Sequence, residues 1–205
     1  MTDEDVWEDG FGGTPGAARL AKLGKETRNM TTGEKGRGAL VGVVMGSDTD
    51  LPVMMETGKT LEKFGIAYEM EVLSAHRTPA RALEYATSAA GRGLKVVIAA
   101  AGAAAHLAGV MAASTTLPVI GVPMATSVLN GLDALLSTVQ MPGGIPVATM
   151  SIDKAGAVNA AIFAAEILAL SDEGIARKLV AHKEELARGV AEKNARLQKQ
   201  LSEKK

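Results

Sequence analysis

From Ala39 onward the chain alternates short apolar runs with segments in which apolar side chains return at every third or fourth position. Residues 40–45, 67–73, 95–101 and 117–122 read as strands, and their largely unbroken apolar character is that of strands covered on both faces. A weaker fifth strand is expected over 146–152. Between them, Leu51, Met54, Met55, Gly58 and Leu61 recur at helical spacing. Further helices are predicted over 79–92, with Leu83 and Ala86 facing inward, and over 106–113, 128–139 and 155–170. Repeated strand-then-helix order builds crossovers that cover a parallel sheet on both sides. The expected architecture is α/β, a three-layer doubly wound parallel sheet.

The two ends read differently from this middle. After Ser171-Asp172, a helix N-cap signal, Leu179, Leu186, Val190, Leu197 and Leu201 mark an apolar stripe on a charged helix within 171–205. Such a stripe signals packing, on the domain or on a partner subunit. Residues 1–39 hold eight of the 23 glycines and show no sustained periodicity, which predicts a flexible extension. Within it a short helix over 17–23 is expected, with Trp7 and Phe11 available to dock on a neighbour. The organisation expected is an extension over 1–39, one domain over 40–170 and a C-terminal helix over 171–205.

Composition narrows the classes of function. With 22 basic and 23 acidic residues the net charge is -1, so no broad field favours nucleic acid or a membrane surface, and any anion site must be local. Cysteine is absent, which excludes disulfides and thiolate chemistry and fits the cytoplasm. No signal-peptide core opens the chain, and no apolar stretch reaches the roughly 18–20 residues of a membrane span. Hydrophobic residues make up 47% of the chain but aromatics only 3%. Small side chains bury little area each, so part of the stability is expected from contacts between subunits, in a homo-oligomer.

The candidate chemistry gathers where predicted strands end, the place at which open α/β sheets bind ligands. Ser74-Ala75-His76-Arg77-Thr78-Pro79 sets an imidazole that can exchange a proton near neutral pH beside a permanent cation. After the first strand, Gly46-Ser47-Asp48-Thr49-Asp50 supplies a tight turn, hydroxyl donors on Ser47 and Thr49, and in Asp50 a carboxylate able to accept from a sugar diol. Thr49 or Asp50 is positioned to cap the helix that follows, with Pro52 in its first turn, and the same turn would serve as a capped loop without a ligand. The third strand runs into Ala99-Ala100-Ala101-Gly102-Ala103-Ala104-Ala105-His106, where tiny side chains, Gly102 among them, let backbone approach a flat ligand and keep the cavity apolar. Simple packing also accounts for that run, and His106 by itself fits a cap or an interface. Residues 140–146, rich in proline and glycine, form a loop that can close over the crevice or turn toward another subunit. A Walker A loop, a dinucleotide fingerprint after the first strand and a Gly-x-Ser-x-Gly elbow are all missing. His76, His106 and His182 are too widely spaced to form a recognisable metal motif.

In order along the chain, Val43-Val44-Met45-Gly46-Ser47 with Asp50, Ser74 to Pro79, Ala104-Ala105-His106-Leu107, Gly121-Val122-Pro123, residues 139–146 and Lys154-Ala155-Gly156-Ala157 closely resemble the class I PurE family. The resemblance covers about residues 40–170. It implies a flavodoxin-like fold, an octamer, and an N5-carboxyaminoimidazole ribonucleotide mutase of purine biosynthesis that works without metal or organic cofactor. His76 would be the general acid/base. Ser47, Asp50 and Arg77, with Thr49, Ser74 and Gly102 around them, would hold the ribonucleotide, and His106 would support it or lie close to it. Where the family usually has glycine this chain has Ala100 and Ala103, and where it has proline, Ala108. A glycine position needing positive φ or close backbone contact would put activity at risk. Two other readings stay open: a carboxylase using free CO2, and a non-catalytic nucleotide-binding module.

Overall fold

The computed structural model describes residues 38–203. The extension expected over 1–39, with its helix, Trp7 and Phe11, falls almost wholly outside them. Five parallel strands make one sheet: β1 (Val41–Met45), β2 (Tyr68–Val72), β3 (Val96–Gly102), β4 (Val119–Met124) and the two-residue β5 (Ala148–Thr149). Their order across the sheet is β2-β1-β3-β4-β5. This is the flavodoxin-like order, and it puts the reversal of winding between β1 and β3. The register pairs Met45 with both Val72 and Ala100.

Two-residue periodicity sorts the strand side chains between two cores. Val41, Val43 and Met45, Val96, Ile98 and Ala100, and Ile120, Val122 and Met124 are buried on the face covered by α1 (Leu51–Phe64) and α5 (Asp153–Ala169). Val44, Val97, Ala99 and Val119 face the other side, under α2 (Pro79–Ala89) and α3 (Leu107–Ser114), while Thr138 of α4 (Leu132–Val139) packs beside Gly121. The low aromatic content becomes intelligible between α1 and α5. The buried Thr57 hydroxyl donates to the Ala157 carbonyl at 2.9 Å, Ala157, Ala160, Ala161 and Ala164 are fully buried along α5, and Gly58 leaves room for the Tyr68 ring. Small residues bring the helix axes close, so dispersion contacts replace the bulk of large anchors.

Boundaries shift where backbone chemistry overrides periodicity. The helix expected from 128 begins at Leu132, because Asn130 (φ 50°) and Gly131 (φ 85°) are left-handed. The expected fifth strand shrinks to Ala148–Thr149. Leu83 does not face inward: it is 50% exposed, whereas Ala82, Tyr85, Ala86 and Ala89 are buried, the stripe lying a third of a turn away. Leu51 and Met55 are likewise exposed at the rim of the α1 stripe.

The last helix, α6 (Glu173–Ser202), starts where Asp172 accepts from the Ile175 N–H at 3.0 Å. Ile175 and Leu179 are buried, and Lys178 donates to the Phe64 carbonyl at 2.8 Å, closing the C-terminus of α1 beside the left-handed Gly65. The rest of the stripe, Leu186, Val190, Leu197 and Leu201, is exposed on the single chain. Among the described residues no helix is long and apolar enough to cross a membrane.

Candidate functional site

A cavity of about 390 Å³ opens at the carboxyl ends of β1, β2 and β3, at the switch point. The eight candidate site residues line it: Ser47, Thr49 and Asp50 after β1, Ser74, His76 and Arg77 after β2, and Gly102 at the last position of β3 with His106 beyond it. Each sits where its strand gives way to the connection that leads into the next α-helix.

The β1 side is built around Ser47. Its Oγ accepts from the Thr49 N–H at 3.3 Å and the Thr49 hydroxyl at 2.9 Å, capping a single 3-10 turn over Asp48–Asp50 that runs directly into α1. The cap is therefore Ser47 and not the expected Thr49 or Asp50, since Asp50 makes no side-chain capping bond. Asp50 is instead 2% exposed. Burial raises its carboxyl above the ordinary range, the nearby charges of Asp153 and Asp48 add to that, and a backbone interaction at Ser47 opposes it. A buried carboxylate is costly unless partnered, so its place on the cavity wall suits it to accept hydrogen bonds from a hydroxyl-bearing ligand.

The β2 side is tied to the β1 side through Arg77. Ser74 Oγ accepts from the Arg77 backbone N–H at 3.1 Å and from Arg77 Nε at 3.4 Å, while Nη2 donates to the Gly46 carbonyl at 3.0 Å. Thr78 Oγ1 accepts from the Ser74 N–H and donates to the Ser74 carbonyl, both at 3.1 Å, which folds the loop onto itself. No described carboxylate forms an ion pair with Arg77. Its charge is fixed at the mouth of the cavity and available to an anion.

The β3 side brings the second imidazole to the first. His76 Nε2 and His106 Nδ1 are 2.7 Å apart, with the rings edge to face at 4.8 Å between centroids. One ring nitrogen donates to the other, and which of them donates depends on the tautomer. Sequence spacing alone left His106 as a cap or interface residue; the fold puts it in hydrogen-bond contact with His76 across 30 positions of chain.

The alanines of this wall play unequal parts. Ala100 lies inside β3 with its methyl buried in the α1–α5 core, away from the cavity. Ala108 is buried in the first turn of α3, where proline is tolerated but not needed. Ala103 is the position that required glycine: its φ is 53°. A left-handed alanine costs on the order of 1 kcal/mol, carried here in the turn between β3 and α3.

Sequence reasoning missed Thr126. It follows β4, the next strand along from the switch point, and lines the cavity. A Cβ on Gly102 would collide with the Thr126 side chain, so the two residues form one close-packed piece of wall. Its position just past a strand end is the signal that would have found it. The loop over 140–146 does not line the cavity; within it Met141 packs over Gly109 of α3. Small side chains line the β3 side as expected, yet His76, Arg77 and His106 are exposed on one chain, so the cavity is open on one side. Among the described residues no three His, Cys, Asp or Glu side chains come together as a metal site.

Residues 40–189 match the family model described as AIR carboxylase. The N5-carboxyaminoimidazole ribonucleotide mutase of Thermotoga maritima is 57% identical over 158 residues, 77% of this chain and 91% of that protein. The mutase of the same name from Bacillus subtilis is 54% identical over 158 residues, 77% of this chain and 98% of that protein. The crystal structure of Treponema denticola PurE superposes with a TM-score of 0.70 at 28% identity, over 78% of this chain and 98% of that one.

Proposed function

The chain belongs to the AIR carboxylase family, and from that premise we propose that it is an isomerase converting N5-carboxyaminoimidazole ribonucleotide to 4-carboxy-5-aminoimidazole ribonucleotide in purine biosynthesis. Relatives of that name at 54–57% identity, aligned over most of their length, support the activity. The observation in the fold that supports it best is a proton-exchanging imidazole, His76, in hydrogen-bond contact with His106, between an anion-holding wall and a wall of small side chains.

The roles follow from the chemistry. Arg77, Ser47 and Ser74 would hold the anionic end of the ribonucleotide, with the Thr49 hydroxyl beside them, and Asp50 would accept from the ribose hydroxyls. As the N–CO2 bond of the carbamate breaks, His76 delivers a proton to the exocyclic nitrogen, leaving CO2 and aminoimidazole ribonucleotide. C4 of the ring then attacks CO2, and the C4 proton returns to the imidazole, so proton and electron pair both balance without a cofactor. His106 would steady the His76 tautomer and take up part of the charge. The small residues Ala101 and Gly102 on the cavity wall would leave room for CO2 to stay beside C4, which would make recapture effectively intramolecular.

Retaining CO2 needs cover that one chain does not supply, and this supports an oligomer, an octamer in our reading. Leu132, Leu136 and Val139 on α4, with Val128 and Leu129 before it, form an exposed apolar face suited to a second copy. We place the catalytic domain over 40–170 with the helix over 171–205 as an extension, and the enzyme in the cytoplasm. The test is conversion of the carbamate by purified protein in buffer depleted of bicarbonate, with native mass measured alongside. Turnover without added CO2 is expected; turnover that depends on CO2 would make it a carboxylase, and binding without turnover a nucleotide-binding module.

A further inference from the structure

Asp153 begins α5 with φ 59°, a left-handed conformation uncommon for residues with a Cβ and adopted by Asp when its side chain is hydrogen-bonded. The conformation turns its carboxylate back across the sheet end, where Oδ1 accepts from the Ala125 N–H at 2.9 Å. A bond from an amide to a carboxylate is of the stronger kind, and here it spans 28 positions of chain. Around it the entrance to α5 and the loop after β4 are fitted closely. A Cβ on Gly131 would press on Ile152 and Ala125, and one on Gly156 would collide with the Ser151 carbonyl. The residue directly after the tethered Ala125 is Thr126, which lines the cavity against Gly102.

We infer that Asp153 is a positioning residue for the substrate site: its carboxylate tethers the loop after β4 so that Thr126 is held against Gly102 as the β3–β4 wall of the cavity. The inference rests on the reading of this cavity as the ribonucleotide site. Glycine at 153 would relieve the backbone without disturbing α5, but it would leave the Ala125 N–H without its acceptor. Asparagine would keep an acceptor oxygen at the same place. The left-handed backbone at Asp153 is thus offset by a directed tether across the sheet end.

The experiment measures aminoimidazole ribonucleotide affinity by calorimetry, mutase kcat/KM and Tm for the full chain carrying Asp153→Gly, Asp153→Asn, Thr126→Ala, and Asp153→Gly with Thr126→Ala. Asp153→Gly is expected to weaken ribonucleotide binding and kcat/KM by about tenfold with Tm within about 4 °C of wild type, while Asp153→Asn recovers most of the loss. In the Thr126→Ala background the glycine substitution should change affinity by less than about twofold, because the two residues act as one unit. Wild-type affinity in Asp153→Gly, equal loss in both backgrounds, or no recovery by asparagine would overturn the inference. A wild-type chain that binds but does not convert defeats the mutase reading while calorimetry still decides Asp153; one that does neither overturns both.

Discussion

The two walls of the cavity are held in place by opposite means. On the β1–β2 wall, hydroxyls and a guanidinium interlock: Ser47 caps its own turn, Ser74 accepts twice from Arg77, and Arg77 reaches the Gly46 carbonyl to join the two loops. On the β3–β4 wall few groups bond beyond the Ala125 N–H to Asp153 tether, and the rest of the shape comes from close contact, Thr126 against Gly102, and from left-handed backbone at Ala103 and Asp153. On the proposed function the contrast matches the ligand chemistry each wall would serve. Holding an anion and a diol takes several donors and acceptors at fixed angles, whereas holding a small neutral molecule beside a ring takes the absence of side chains. His76 stands on the first wall and His106 on the second, so their 2.7 Å contact is the seam at which the two meet.

Breaking the seam should have the largest effect. His76→Asn removes the proton carrier while leaving the donors of the polar wall, so kcat should fall by about 10²–10⁴ with ribonucleotide affinity nearly unchanged, as turnover and calorimetry on one preparation will show. Next is Asp50→Asn, which replaces an ionised acceptor and should weaken ribonucleotide binding by about tenfold. The same substitution should stabilise the protein. Burial raises the Asp50 carboxyl, so the folded chain holds that proton more tightly than the unfolded chain, and ionisation costs stability as pH rises through and above the ordinary carboxylate range. Thermal melts should therefore show a higher Tm for Asp50→Asn at pH 7, a gain that shrinks as pH falls through the raised Asp50 range and is lost below about 4.

The other wall answers to bulk. Gly102→Ala drives a methyl into Thr126 and should lower stability by about 1–3 kcal/mol in denaturant titrations, with loss of ribonucleotide affinity because the wall itself must move. The smallest effect sharpens the comparison from the opposite side. Ala103→Gly relieves a left-handed alanine and should raise stability by about 1 kcal/mol, or Tm by about 2–4 °C, without touching a hydrogen bond. On the polar wall the Asp50→Asn gain comes from charge and not from relieved backbone, since no described residue there is left-handed.

Much of this was open to reading in advance. Buried strands announce themselves by unbroken apolar runs, and the crevice follows from strand ends in a doubly wound sheet. Ser47, Asp50, His76 and Arg77 were legible because each motif lies within one loop, where a few residues determine a local geometry. Leu83 was misplaced because a stripe a third of a turn wide leaves its rim ambiguous, and the exposed Leu186, Val190, Leu197 and Leu201 show only that a face exists.

By itself, then, the chain's order of residues determined the layers, the crevice and the types of chemistry offered there, since those depend on periodicity and on neighbours a few positions apart. Tertiary structure alone decided that His106 bonds to His76, that Thr126 completes the Gly102 wall, that Ala103 and not Ala100 bears the strain, and that Asp153 ties down Ala125. Those relations join strands that meet only when the sheet closes. Contacts between residues some 30 positions apart are set by register and packing, and no local pattern carries them.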